Sequence, residues 1–224
     1  MIGQAPKGAH AMPPRRQGAK AGTTPGAKAG ARALQATLAD ARACTLCAAH
    51  LPLGPRPVLR ASVTARLLIV GQAPGTRVHE SGVPWNDASG ERLRDWLGLD
   101  RETFYDERRI AILPTGLCYP GVNARGGDLP PRPECAPLWH PRVSAHLRVV
   151  ELTLLVGLYA QSHYLGNARG ATLTETVRAW RDYGPKFVPL PHPSWRTVRW
   201  QRDNPWFDAE LLPALTARIA NLLG

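Results

Sequence analysis

Arg66-Leu67-Leu68-Ile69-Val70-Gly71-Gln72-Ala73-Pro74-Gly75 is the stretch on which the fold turns. Its first half is a short apolar run with no polar alternation, the pattern of a strand buried on both faces in a parallel sheet. Gly71 stops the run, and a loop follows. Downstream, Ser89 to Leu97 reads as a helix with Leu93, Trp96 and Leu97 on one face and Gly98 as its stop. Further apolar runs at 109–113, 152–156 and 187–190 read as strands, and helices are predicted near 158–165, 172–182 and 206–223. Strands alternating with helices predict an α/β protein, a three-layer α/β/α sandwich around a central, mainly parallel four-stranded sheet. In such sheets the ligand crevice lies beyond the carboxyl ends of the strands. Two segments fall there, Gly71–Gly75 after the first strand and Pro191-His192-Pro193-Ser194-Trp195 after the last.

Upstream of the first strand the composition changes. Residues 1–32 are rich in Gly, Ala, Pro and Lys and lack hydrophobic periodicity, so they are read as a disordered basic arm. An organelle transit peptide is the weaker reading, since amphipathic pattern and serines are scarce. The globular domain is expected over 33–224, opening with a helix that carries Leu34, Leu38 and Ala41 and delivers Cys44 and Cys47 at its end. Six positive charges (Lys7, Arg15, Arg16, Lys20, Lys28, Arg32) precede the first acidic residue, Asp40, out of a net charge of +11. A basic domain with a basic arm suits a polyanion, because each neutralised phosphate releases counterions. Charge of this kind also simply keeps proteins soluble. No apolar run approaches a membrane span, and no signal-peptide core is present. The expectation is a cytoplasmic, monomeric protein with no membrane association.

Four cysteines in a chain of this kind are better suited to be metal ligands or free thiols than disulfides. Cys44-x-x-Cys47 places two thiolates on one turn, while Cys118 and Cys135 follow the second strand and open the next helix. Four thiolates can bind a 4Fe-4S cluster or a structural zinc, and spacing alone does not separate the two.

Gly71-Gln72-Ala73-Pro74-Gly75 resembles the first active-site motif of the uracil-DNA glycosylase superfamily, and His192-Pro193-Ser194 resembles its second. Gly82-Val83-Pro84-Trp85 through Gly90 is similar to the corresponding stretch of the thermostable iron–sulfur branch, family 4-like, as is the cysteine pattern. The resemblance covers about residues 34–223. It implies a DNA-repair glycosylase that hydrolyses the N-glycosidic bond of uracil or a related damaged base, in single- or double-stranded DNA. It also favours the iron–sulfur cluster over zinc at Cys44, Cys47, Cys118 and Cys135. His192 is then the catalytic donor to the departing base, with Gln72 at the water-orienting position. Gly71, Ala73, Pro74, Gly75 and Trp85 are expected to form the base pocket. Trp85 at the stacking position is weighed against ordinary core packing. Ser194, Trp195, Arg196 and Arg199 are expected on the DNA, against the plainer reading of arginines covering apolar surface.

Two residues depart from that pattern. Gln72 stands where the iron–sulfur branch has a Glu, and an amide cannot accept a proton from water at neutral pH. Asp87 or Glu80 is a candidate for the missing carboxylate. Pro114, with Thr115 beside it, stands where relatives read the uracil edge with an Asn; Asn86 is the expected replacement. The competing readings are a non-catalytic, cluster-bearing nucleic-acid binder and an electron carrier. Cysteines spread over a whole domain argue against the carrier.

Overall fold

The computed structural model describes residues 25–124 and 126–224 of the chain. Four strands, β1 (Leu67–Val70), β2 (Ile110–Ile112), β3 (Leu152–Val156) and β4 (Phe187–Leu190), form one sheet in the order β2-β1-β3-β4. Every pairing is parallel. All but the first residue of β4 are buried, so both faces of the sheet are covered.

The two-residue period of the strands divides the core. Leu67, Ile69, Ile110, Ile112, Leu154 and Val188 face one layer, where they meet Leu93, Trp96 and Leu97 of α3 (Ala88–Leu97) and Leu215 and Ile219 of α9 (Leu212–Leu223). Leu68, Val70, Ala111 and Leu155 face the other, against Leu34 and Leu38 of α1 (Pro25–Arg42) and Trp139 and Val143 of α5 (Cys135–Ser144). The fold is therefore the expected three-layer α/β/α sandwich.

The remaining helices are α2 (Thr76–Ser81), α4 (Arg101–Tyr105), α6 (Leu158–Leu165), α7 (Leu173–Arg178) and α8 (Thr197–Asp203). Local chemistry sets several ends. Asp87 caps α3 through a bond from Gly90 N–H (2.8 Å), and Gly98 ends it in the left-handed region at φ 63°. Thr172 and Glu175 form a reciprocal capping box at α7.

One helix is longer than expected. α1 starts at Pro25, two turns ahead of the helix expected from Ala33. Those turns are largely exposed, so burial does not hold them. Proline suits the first helical position, and alanine, lysine and arginine are good helix formers. Residues 1–24 of the expected arm lie outside the described residues. Among the described residues, no helix is long and apolar enough to cross a membrane.

Candidate active site

The loops that leave the carboxyl ends of β1, β2 and β4 meet over the sheet. Gly71, Gln72, Ala73, Pro74 and Gly75 line one cavity together with Trp85, Pro114 and His192. Strand order reverses between β1 and β3, which places this cavity at the sheet's switch point.

The β1 loop is held by backbone bonds from the β2 loop. Thr115 N–H donates to Gly71 O (3.0 Å) and Gly116 N–H to Gln72 O (2.7 Å), while the Thr115 hydroxyl donates to Gln72 O at 2.7 Å. Gly116 has no room for a side chain, since a Cβ there would lie 2.9 Å from Pro131. Pro114 O in turn accepts from the ring of His140, whose Nε2 lies 3.0 Å away. The second ring nitrogen of His140 faces Tyr164 Oη at 2.9 Å. Burial pushes the His140 pKa down to about 4, so the ring stays neutral. With Nε2 as the donor, Nδ1 accepts from the tyrosine.

Trp85 has a left-handed backbone, φ 57°, an uncommon state for a bulky residue and one that clusters at functional sites. Its carbonyl accepts from Tyr105 Oη (3.2 Å) and Arg94 Nη1 (3.3 Å). Gly90 makes this possible, because a Cβ there would fall within 1.8 Å of Trp85 O. The indole lies against Gly71 on one side, and its centroid is 5.7 Å from that of the His192 ring.

His192 is fixed through its own backbone. His192 O accepts from Ser194 N–H (2.8 Å) and from the Thr197 hydroxyl, which folds the post-β4 loop into a tight turn. Gly157, at φ 88° after β3, sits beneath the His192 side chain. Its ring makes no hydrogen bond to another described residue. Burial lowers the His192 pKa, opposed by the charges of Asp87 and Asp128. The neutral imidazole is thus favoured, with one nitrogen able to donate into the cavity.

Asp128 and Ser89 also line the cavity and were not singled out in the sequence. Asp128 comes from the loop after β2, which returns through an isolated antiparallel bridge between Val122 and Asp128. No local pattern announces that approach. Asp87 is in the lining too, so of the two candidate carboxylates it is the one that faces His192. Glu80 lies instead in an outer groove.

Asn86 departs from expectation. The left-handed turn at Trp85 sends successive side chains in different directions, and Asn86 joins the outer groove, where its Oδ1 accepts from Arg101 Nη2 at 2.9 Å. It does not line the cavity. Beyond His192, Trp195 is 74% exposed, and with Arg196, Arg199 and Arg202 it lines a shallow groove on α8 and the turn before it. Arg196 stacks over the indole at 4.9 Å. Ser194 lies outside that groove, and its carbonyl accepts from Arg92 Nη1.

A second cavity lies at the far end of the β2 loop. Cys44, Cys47, Cys118 and Cys135 all line it, with Arg132 and Trp139. Among the described residues, no group of three or more Cys, His, Asp or Glu side chains is placed so as to hold a metal ion. Burial pushes the Cys118 thiol up to about 11 and the Cys135 thiol to about 12, and the neighbouring thiols add to both shifts. Leu117 N–H donates to Cys135 Sγ (3.3 Å). Two residues of this lining each carry a buried donor with no acceptor among the described residues, Arg132 Nε and Trp139 Nε1. Four convergent sulfurs and spare N–H donors suit a thiolate-ligated, electron-rich group. Residues Pro114 to Cys118 connect the two cavities directly, through the bonds of Thr115, Gly116 and Leu117.

Residues 60–216 match the family model described as the uracil DNA glycosylase superfamily.

Proposed function

The chain belongs to the uracil DNA glycosylase superfamily, and we propose that it hydrolyses the N-glycosidic bond of uracil or a related damaged base in DNA. The observation that carries this reading is the convergence of His192, Trp85 and the Gly71–Gly75 loop on one cavity beyond the strand ends.

A base in a duplex is out of reach, so it has to be flipped out of the stack into a pocket. Trp85 offers a flat wall for the flipped base, and the lack of a side chain at Gly71 lets the indole lie against the β1 loop. Breaking the bond between the sugar C1′ and the base nitrogen leaves the electron pair on the base and positive charge on the sugar. The neutral His192 ring donates a hydrogen bond to the base carbonyl oxygen where negative charge develops. Asp87 and Asp128 place negative charge near the developing sugar cation. Water then adds to C1′, with Gln72 holding it by hydrogen bonds and a carboxylate or solvent taking its proton; the departing base anion is protonated in turn. Trp195, Arg196 and Arg199 supply an exposed aromatic and cations for the DNA beside the flipped nucleotide.

In the same reading the chain falls in the iron–sulfur branch, with Cys44, Cys47, Cys118 and Cys135 holding a 4Fe-4S cluster and zinc as the alternative metal. Once bound, the cluster would cross-link the end of α1, the β2 loop and the start of α5. Leu117 and Thr115 would pass that rigidity to the β1 loop through the bonds already described.

The test is release of uracil from labelled single- and double-stranded oligonucleotides by anaerobically purified protein. Release supports a glycosylase. Intact uracil, hypoxanthine and xanthine substrates throughout would remove the hydrolytic reading. One set of observations favours a binding protein without chemistry: Pro114 O is engaged by His140, and Asn86 faces away, so among the described residues Gln72 is the only side-chain amide in the cavity lining. Tight DNA binding without base release would select it.

A further inference from the structure

Two of the buried polar atoms without a partner among the described residues belong to residues that line the cysteine cavity, and both are donors: Arg132 Nε and Trp139 Nε1. A buried N–H with no acceptor costs free energy, so an orphan donor signals an acceptor that the polypeptide itself does not provide. Two of them around one cavity, beside four thiols, point to a single occupant rich in sulfur acceptors.

The two side chains are held by other means. Trp139 is 4% exposed and packs in the α1/α5 layer, with Arg142 over its ring at 4.5 Å. Arg132 is anchored by its far end, Nη2 donating to Glu134 Oε1 at 2.9 Å. Neither arrangement uses the orphan N–H. Glu134 and Cys135 are adjacent, so the anchor is built into the N-terminus of α5 beside a cavity-lining cysteine.

We propose that Arg132 Nε–H and Trp139 Nε1–H donate hydrogen bonds to the sulfur atoms of the metal group held by Cys44, Cys47, Cys118 and Cys135, and that Arg132 adds a positive charge which favours its more negative state. This rests on the metal-binding reading of the cysteines but not on glycosylase activity. Hydrogen bonds and charge beside a cluster raise its reduction potential and slow loss of its metal, since both stabilise electron density on sulfur.

The test uses full-length protein loaded anaerobically with iron and sulfide, compared with Trp139→Phe, Arg132→Gln and Arg132→Lys. Trp139→Phe keeps an aromatic ring at the site and removes the donor. Both Trp139→Phe and Arg132→Gln are expected to lose iron to a chelator about tenfold faster. Their midpoint potentials are expected to move in the negative direction. Arg132→Lys restores the charge and is expected to recover the potential in part. Loaded variants with wild-type potential and wild-type iron loss would overturn the proposal. Wild-type protein that takes up zinc and no iron would remove the cluster reading alone; the donors are then judged by zinc release, faster in the variants if the proposal holds and equal if it fails. A wild type that takes up neither metal overturns both.

Discussion

The indole of Trp85 lies directly against the α-carbon of Gly71, so that a methyl group at position 71 would sit 2.8 Å from Trp85 Cζ2. That contact is tighter than any side chain accepts, and Trp85 cannot retreat freely because Tyr105 and Arg94 hold its carbonyl. Gly71→Ala is expected to push the indole toward His192 and occlude the cavity. Overpacking of this kind costs about 1–3 kcal/mol. Base release should fall much further than stability, measured as single-turnover excision beside a denaturant melt.

Thr115 ties the β2 loop to the β1 loop through its hydroxyl, which donates to Gln72 O at 2.7 Å. Thr115→Val keeps the shape and removes that bond, while Gly116 N–H still donates to Gln72 O. The expected cost is about 0.5–1.5 kcal/mol. If the bond positions Gln72, excision slows while affinity for DNA holds; equal rates in variant and wild type would show the bond to be structural only.

His140 gives the fold an acid-sensitive joint. Its pKa is 6.5 ordinarily and about 4 in the fold, because burial opposes the charged ring. A depressed value means the unfolded chain binds a proton that the native state refuses. The stability attached to His140 is therefore present above about pH 6.5 and is lost as pH falls from there toward 4. At full extent it amounts to about 3 kcal/mol. Chemical denaturation at pH 7 and at pH 4.5 should show a steep decline in the wild type and a shallower one in His140→Gln. His163, also lowered by burial, retains part of the slope in the variant.

The groove of Trp195, Arg196 and Arg199 is solvent-facing, so its substitutions should spare the fold. Arg196→Ala and Arg199→Ala are each expected to weaken DNA binding uniformly across sequences and to reduce the salt slope by about 1. Trp195→Ala should cost about 1–3 kcal/mol of binding with the salt slope unchanged, as loss of base stacking would. Fluorescence-anisotropy titrations at several salt concentrations distinguish these outcomes.

The fold was legible because buried parallel strands leave a plain trace: continuous runs such as Leu67–Val70 and Leu152–Val156, each ended by a glycine. The loops at the strand ends were legible for the same reason, and His192, Trp85 and Gly71–Gly75 do converge. Legibility failed where tertiary geometry decides. Asp128 reaches the cavity from a loop whose path depends on a bridge six residues back. Asn86 is turned outward by the positive φ of its neighbour, which a local reading of a Trp-Asn pair does not anticipate. The extra turns of α1 have no buried face, so hydrophobic periodicity missed them.

The central claim is that His192 stabilises a departing base in the cavity it shares with Trp85. It is tested most directly by single-turnover release of uracil from a labelled oligonucleotide, comparing cluster-loaded wild type with His192→Ala of matched fold and metal content. The account predicts release by the wild type and a loss of at least about 100-fold in the variant, the scale of removing one donor to a developing anion. Release at equal rates by both proteins would contradict it.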